Sequence, residues 1–509
     1  MIKKLAASEL LNRLVRQPTV EFAADAGPNF ADVIGFHVYA DLTLNLPLAA
    51  AADGQNANKY LTILEDYAAV GDLCALQVGG RLLEVQGERL HFVLPHEKAD
   101  ETAIRALLRF SIALTQAVYR KIKPIAGEHW NGFAMAADHG RAIIIVSGRD
   151  GDDSAISLGN PANTPAKRLA REPAVESGHL AIPTRIVERS QMLSSESSSD
   201  PGKKWTALNV NDPPSYLLPL LDVTLLNRID EAAATINAGA GRRDSRIISF
   251  ANADYFADTE RATVSDPIEV QGFCLRADLD GFTREVERAF GANDDRAIMA
   301  LVQRFMAIMD LPEHFAKRVQ RPIISLPWAG DCATQLVLLK RGETYDIARR
   351  FLPPNASLTW NECSQNGDPS TRAIREALGT TKWAVGIAGG DGDEGSLGRI
   401  LTANIRTSGR QFLVAAGWGV RRSLDAQQAR HVNADDTVLH IVDCRALHPD
   451  YCQAFGALPD ISIFRRATLD ALKKARLKQI NSAGKQSPQI MPQIRATVIP
   501  AARPFCNDG

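Results

Sequence analysis

Short apolar runs that close on an acid recur along this chain. Phe273-Cys274-Leu275-Arg276-Ala277-Asp278 has the character of a buried strand, ends in a carboxylate and turns at Gly281. Beyond the turn, Phe282, Val286, Ala289 and Phe290 recur at helical spacing. Residues 323–339 read as two strands joined by a tight turn at Gly330-Asp331. A strand ending in Asp278 beside a hairpin tip carrying Asp331 would bring two carboxylates together. The helix start that follows would offer backbone N–H groups to an anion. A plain strand–helix corner capped by an Asp is the other reading of that turn.

The same succession occurs earlier. Residues 33–43 form an apolar strand ending at Asp41, and residues 60–70 are helical. Residues 81–94 form a hairpin with Gly87-Glu88 where the later copy has Gly330-Asp331. Residues 101–121 form an amphipathic helix with Ile104, Leu107, Leu108, Ile112 and Leu114 on or near one face. Strands are predicted at 131–138, 141–148 and 155–158, and a turn into a helix at 159–169. The run from Ala134 to Gly140 is echoed by Val385 to Gly390, and the acidic turn Asp150-Gly151-Asp152-Asp153 by Asp391-Gly392-Asp393-Glu394. Those turns lack the ligand spacing and closing Glu of a calcium loop. The pattern is an internal repeat. It divides the chain into an arm (1–30, with a helix at 8–16), a first domain (31–190), a linker (191–264), a second domain (265–445) and a tail (446–509). The linker holds the Ser-rich stretch 194–202 and a helix-like stretch 217–237, and the tail a basic helix 466–478.

Composition narrows the class without choosing the chemistry. The 509 residues are 45% hydrophobic and 23% charged, which suits a multidomain globular protein. A net charge of −1 argues against a general nucleic-acid or anionic-membrane binder. Seven cysteines without a Cys-x-x-Cys pair suit a reducing compartment, and no apolar run has the length of a membrane span. The expected location is the cytoplasm. There is no P-loop and no Ser-His-Asp arrangement.

The segments Asp278-Leu279-Asp280-Gly281-Phe282-Thr283 and Gly330-Asp331, in that order, resemble the class III nucleotidyl cyclases. There an Asp-x-x-Gly-Phe-Thr strand–turn and a Gly-Asp hairpin each carry a metal-binding Asp. The resemblance implies an α/β fold: an α+β, ferredoxin-like βαββαβ core, here repeated in tandem as an intramolecular pseudo-dimer. It implies that Asp278 and Asp331 hold two divalent ions, Mg²⁺ or Mn²⁺, and that Asp280, Gly281, Phe282 and Thr283 cradle phosphates. The family pattern Gly-x-x-x-Asn-x-x-x-Arg is met by Gly159 and Asn163, with Lys167 where the Arg belongs and Arg168 after it. By that resemblance Asn163 orients the ribose, and Lys167 or Arg168 stabilises charge on the attacked phosphate. In the second copy Arg421 and Asp425 replace the Asn and Arg, while the first copy has Glu88 in place of the second Asp. The copies have kept opposite halves of one site, which implies one working site and one vacant one.

Purine-using members set an Asp seven residues before the Asn and a Lys three before the hairpin Gly. Ile156 and Glu84 stand at those places, and with Tyr39 they are the expected base-recognition residues. The tandem layout and these departures resemble the bacterial pyrimidine cyclases of Pycsar anti-phage systems. That implies UTP as substrate and a cyclic nucleotide product acting on a separate effector. An adenylate or guanylate cyclase and a catalytically inactive nucleotide-binding scaffold are the alternatives.

Overall fold

The computed structural model describes residues 3–4, 6–9, 29–44, 54–146, 154–171, 178–193, 204–213, 227, 231, 248–250, 268–279, 281–340, 342–365, 376–377, 383–389, 399–407, 410–429, 440–443 and 461–464. Asp280, the two acidic turns, most of the 8–16 helix, most of the linker and the basic helix of the tail lie outside the described residues.

The first repeat runs β1 (Asn29–Leu44), α1 (Gly54–Gln77), β2 (Arg81–Gln86), β3 (Arg89–Pro95), α2 (Glu101–Ala117), β4 (Trp130–Val146), β5 (Ala155–Leu158), α3 (Asn160–Arg171), β6 (His179–Pro183) and β7 (Trp205–Asn209). Its strands lie in the order β2-β3-β1-β4-β6-β7, with β5 on the far part of β4. The second repeat runs β8 (Ile268–Leu279), α4 (Phe282–Gly291), α5 (Asp295–Ile308), α6 (Leu311–Val319), β9 (Ile323–Ser325), β10 (Cys332–Leu338), α7 (Tyr345–Gln365), β11 (Trp383–Gly389), β12 (Arg399–Arg406), β13 (Gln411–Ala416), α8 (Trp418–Ala429), β14 (His440–Asp443) and β15 (Ile461–Phe464). Its order, β9-β10-β8-β11-β14-β15 with β12 on the near part of β8 and β13 on β12, repeats the first. Strands β7 and β15 carry the two sheets beyond residues 190 and 445.

Residues 131–148 were expected to form two strands, and they form one. Strand β4 pairs with β1 along its whole length, from Trp130 opposite Leu44 to Val146 opposite Asn29. Gly140, which falls between the two expected strands, lies opposite Gly35 in the ladder. Gly35 is obligatory there, since a Cβ would stand 2.3 Å from the Leu94 carbonyl oxygen. In the second repeat the counterpart of β4 is broken into β11 and β12.

Each sheet uses its two-residue period to sort chemistry. In β1, Phe36, Val38, Ala40 and Leu42 point into the core with α1 and α2, which leaves His37, Tyr39 and Asp41 on the opposite face. The cores are shared between repeats. Phe30, Ile143, Ile145, Ile156 and Leu158 of the first repeat pack into the core of the second. In exchange, Leu401, Ile405, Phe412 and Val414 of the β12–β13 hairpin fill the core of the first. Arg410 at the tip of that hairpin donates to the carbonyl of Leu82. Each buried side chain of this size contributes about 1.5–3 kcal/mol, so neither repeat completes its core alone.

Candidate functional site

The exchanged arms set the C-terminal end of β8 and the start of α4 against α3 of the first repeat. The turn into α4 works because Gly281 adopts φ +78°, a left-handed conformation that a side chain would disfavour. Phe282 anchors the helix in the core, with its ring 5.3 Å from that of Phe305. Only its backbone faces the site. The intrahelical bonds begin with the N–H groups of Arg284 and Glu285, both to the Gly281 carbonyl, so the N–H groups of Phe282 and Thr283 precede them.

Asp278 and Asp331 meet beside this helix start. The Asp331 carboxyl lies within hydrogen-bond reach of Asp278, and Thr283 Oγ1 stands 3.5 Å from Asp331 Oδ2. Burial raises the Asp331 carboxyl to about 6, against lowering by its own backbone N–H, the Lys167 charge, Thr283 and Asp278. Two carboxylates in contact stay ionised together only when a cation joins them; otherwise they share a proton. Gln427 Nε2 donates to Asp278 Oδ2 at 3.2 Å. Arg276, on the same strand face, donates its Nε to Cys332 Sγ at 3.1 Å and also feels the Asp278 charge. No group of three or more His, Cys, Asp or Glu side chains able to hold a metal occurs among the described residues.

Lys167 reaches the same place from the other repeat, and Asn163 precedes it on the same helix. They sit one turn apart on α3, which starts at the Gly159 carbonyl, the acceptor of the Asn163 N–H at 3.1 Å. Lys167 Nζ lies 2.9 Å from Glu287 Oε1 on α4, and its charge acts on Asp331. Arg168 is elsewhere, its guanidinium 5.9 Å from the centre of the Trp205 ring. Of the two cations that the sequence left open, Lys167 faces the carboxylate pair.

The three expected base residues part company. Ile156 packs in the core of the second repeat and does not form a pocket wall beside Glu84. The reason is strand alternation, which turns the next residue, Ser157, toward His37 at 3.3 Å. Glu84 is buried, not solvated, and lies opposite His91 in the β2–β3 ladder. Tyr39 stacks on His91, centroids 4.1 Å apart. His37 Nδ1 is 3.1 Å from His91 Nε2, and burial holds both rings neutral, His37 down to about 3. This His37–His91 pair was not foreseen. Its signal was the alternation of β1, which puts His37 on the face of Tyr39 and Asp41.

The pseudo-equivalent second site is closed from within. Asp41 lies opposite Arg89 at the register where Asp278 lies opposite Cys332, and Arg89 Nη2 is 2.6 Å from Asp41 Oδ2. Glu88, in the place of Asp331, is raised to about 8 by burial and by the Asp41 charge, against the Leu44 N–H and Arg421 of the other repeat. The two guanidinium groups offset the acids, which leaves little net charge to hold a cation.

No protein-family model and no curated protein sequence matches this chain. Solved structures do. A class III adenylyl cyclase-like ATP-binding protein from Pseudomonas aeruginosa aligns with TM-score 0.58 and 17% identity, over 83% of this chain and 89% of that one. The guanylyl cyclase Cya2 aligns with TM-score 0.27 and 14% identity, over 37% of this chain and 98% of its own. The adenylyl cyclase CyaB from P. aeruginosa aligns with TM-score 0.27 and 13% identity, over the same shares. No helix among the described residues is long and apolar enough to cross a membrane. The fold of this chain is that of the class III cyclases, present twice in tandem.

Proposed function

We propose that this chain is a nucleotidyl cyclase with one working site, which converts a nucleoside triphosphate to a 3′,5′-cyclic mononucleotide and pyrophosphate. The observation that carries the reading is the convergence, from opposite repeats, of the Asp278–Asp331 pair and Lys167, beside the open start of α4. The donor set fits a hard divalent cation: two carboxylates suffice where water completes the shell, with substrate phosphates displacing some of that water on binding, as is usual for Mg²⁺. Bound there, Mg²⁺ or Mn²⁺ would lower the pKa of the attacking 3′-hydroxyl and neutralise the leaving pyrophosphate.

The residues of the chain do the rest. The N–H groups of Phe282 and Thr283 hold phosphate oxygens at the positive end of α4. Lys167 exchanges Glu287 for the α-phosphoryl oxygens and stabilises the charge that grows on them. Asn163, one turn before it, orients the ribose. The substrate assigned by this reading is UTP, with the base beside Tyr39, Glu84 and the His37–His91 pair, and the product is a second messenger for a separate effector in anti-phage defence. A reading as a nucleotide-binding scaffold without turnover is favoured by one observation, that the structural match spanning both repeats is described as an ATP-binding protein.

Incubation with each of the four ribonucleoside triphosphates and Mn²⁺, followed by mass analysis, separates the readings. Cyclic UMP is expected. Another cyclic nucleotide would correct the base assignment alone. Tight triphosphate binding without pyrophosphate release would establish the scaffold.

A further inference from the structure

The two equivalent aspartates, Asp41 and Asp278, are held by donors of different charge. Asp41 is held by a guanidinium, Arg89 at 2.6 Å. Asp278 is held by a side-chain amide, Gln427 at 3.2 Å, and that glutamine is only 4% exposed. A guanidinium cancels the carboxylate charge. An amide fixes one oxygen without neutralising it, and Arg276, whose charge also acts on Asp278, directs its Nε to Cys332 Sγ.

The amide reaches Asp278 because of a glycine. Helix α8 lies directly on β11 at Gly386, where a Cβ would stand 2.3 Å from the Ser423 carbonyl oxygen and 2.4 Å from the Gln427 nitrogen. Gly386 pairs with Arg276. At the matching place in the first repeat, Ala136 pairs with Tyr39. There the helix residue matching Gln427 is Leu169, which packs against Tyr39, Ala134 and Ala136 and offers no donor. Ser423, one turn before Gln427, donates to the Val420 carbonyl at 2.8 Å and lies 3.1 Å from Cys274 Sγ, which ties the helix to the face of β8 that carries Asp278.

We propose that Gln427 is a positioning residue for Asp278: its amide N–H holds Oδ2 so that the rest of the carboxylate is presented to a divalent cation, and Gly386 permits that approach. The proposal rests on the metal-dependent reading above. Because a carboxylate only accepts, the amide must present its NH₂ end, which fixes its orientation. Partners of this kind tune a ligand without touching the metal, and their loss costs 10–100-fold in affinity.

The test is Mn²⁺ affinity of the full-length protein without nucleotide, read from the loss of the free-ion EPR signal, together with thermal denaturation in the absence of metal. Gln427→Met keeps the packing volume and removes the donor; about 10–100-fold weaker Mn²⁺ binding is expected at nearly unchanged Tm. Gln427→Lys copies the cationic donor of the closed site and is expected to reduce binding to the level of Asp278→Asn. Should the lysine variant fail to fold, the methionine variant decides. Wild-type affinity in Gln427→Met, beside weakened binding in Asp278→Asn, overturns the role of Gln427 alone. Mn²⁺ binding that is absent in the wild type, or unchanged in Asp278→Asn, overturns the metal reading and this proposal with it.

Discussion

Arg89 and Asp41 form an ion pair across β1 and β3 at the register that Cys332 and Asp278 occupy in the second repeat. One difference in a ladder thus separates Asp41, whose cross-strand neighbour is a guanidinium, from Asp278, whose cross-strand neighbour is a thiol. The functional consequence is asymmetric. Asp278→Asn and Asp331→Asn should each abolish cyclic product with the fold intact by circular dichroism. Asp41→Asn should leave turnover within a few-fold and instead lower stability, by about 2 kcal/mol for a lost charged hydrogen bond. Equal loss of activity in all three would mean that the two sites have been wrongly told apart.

Lys167 lies beside the carboxylate pair, and the guanidinium of Arg168 lies 5.9 Å from the Trp205 ring. Lys167→Ala is expected to lower kcat by about 10³-fold, the scale of a cation aimed at a transferring phosphoryl group. Lys167→Arg should retain much of that rate. Arg168→Ala should change kcat little, since its guanidinium lies over Trp205. Steady-state kinetics on the three variants checks this, and a larger loss in Arg168→Ala than in Lys167→Ala would reverse the assignment.

The closed site should leave a mark on the pH dependence of stability. The Glu88 carboxyl is raised to about 8, so between about pH 4.5 and 8 the folded chain keeps a proton that the unfolded chain has lost. Rising pH in that window therefore removes stability, and the loss is complete above it. Glu88→Gln should flatten this part of the curve, so the Tm difference between wild type and variant should change steadily across the window. Parallel curves would show that Glu88 titrates normally.

Exchange of arms makes the repeats interdependent. Phe412 of the second repeat is fully buried in the core of the first. Phe412→Ala is expected to cost about 3–5 kcal/mol. Chains divided between residues 197 and 201 should be inactive apart and active when co-expressed. An active, folded second half alone would contradict the shared core.

The base side is best tested without Ile156. Ile156→Asp would place a carboxylate among Phe30, Ile143 and Ile145 and should unfold the protein rather than alter selectivity. Glu84→Gln and His91→Gln nearly keep volume and change the donors and acceptors. A shift in the ratio of UTP to ATP turnover is expected from either, and an unchanged ratio in both would remove this cluster from base choice.

The sequence alone determined the repeat, the strands that carry Asp41 and Asp278, and the Gly-Asp and Gly-Glu hairpin tips, because those depend on local periodicity and turn chemistry; β1 runs past Asp41 to Leu44. It also carried the complementary losses at Asn163 and Arg421, which are visible by laying one copy on the other. It could not show that Gly140 continues a strand, since a glycine reads as a turn until Gly35 is found opposite it in the ladder. Nor could it place Ile156 in the neighbouring core, choose Lys167 over Arg168, or join Gln427 to Asp278. Those depend on which faces two distant segments turn toward each other. Only the packing of one repeat on the other, and of α8 on the bare backbone at Gly386, decides them.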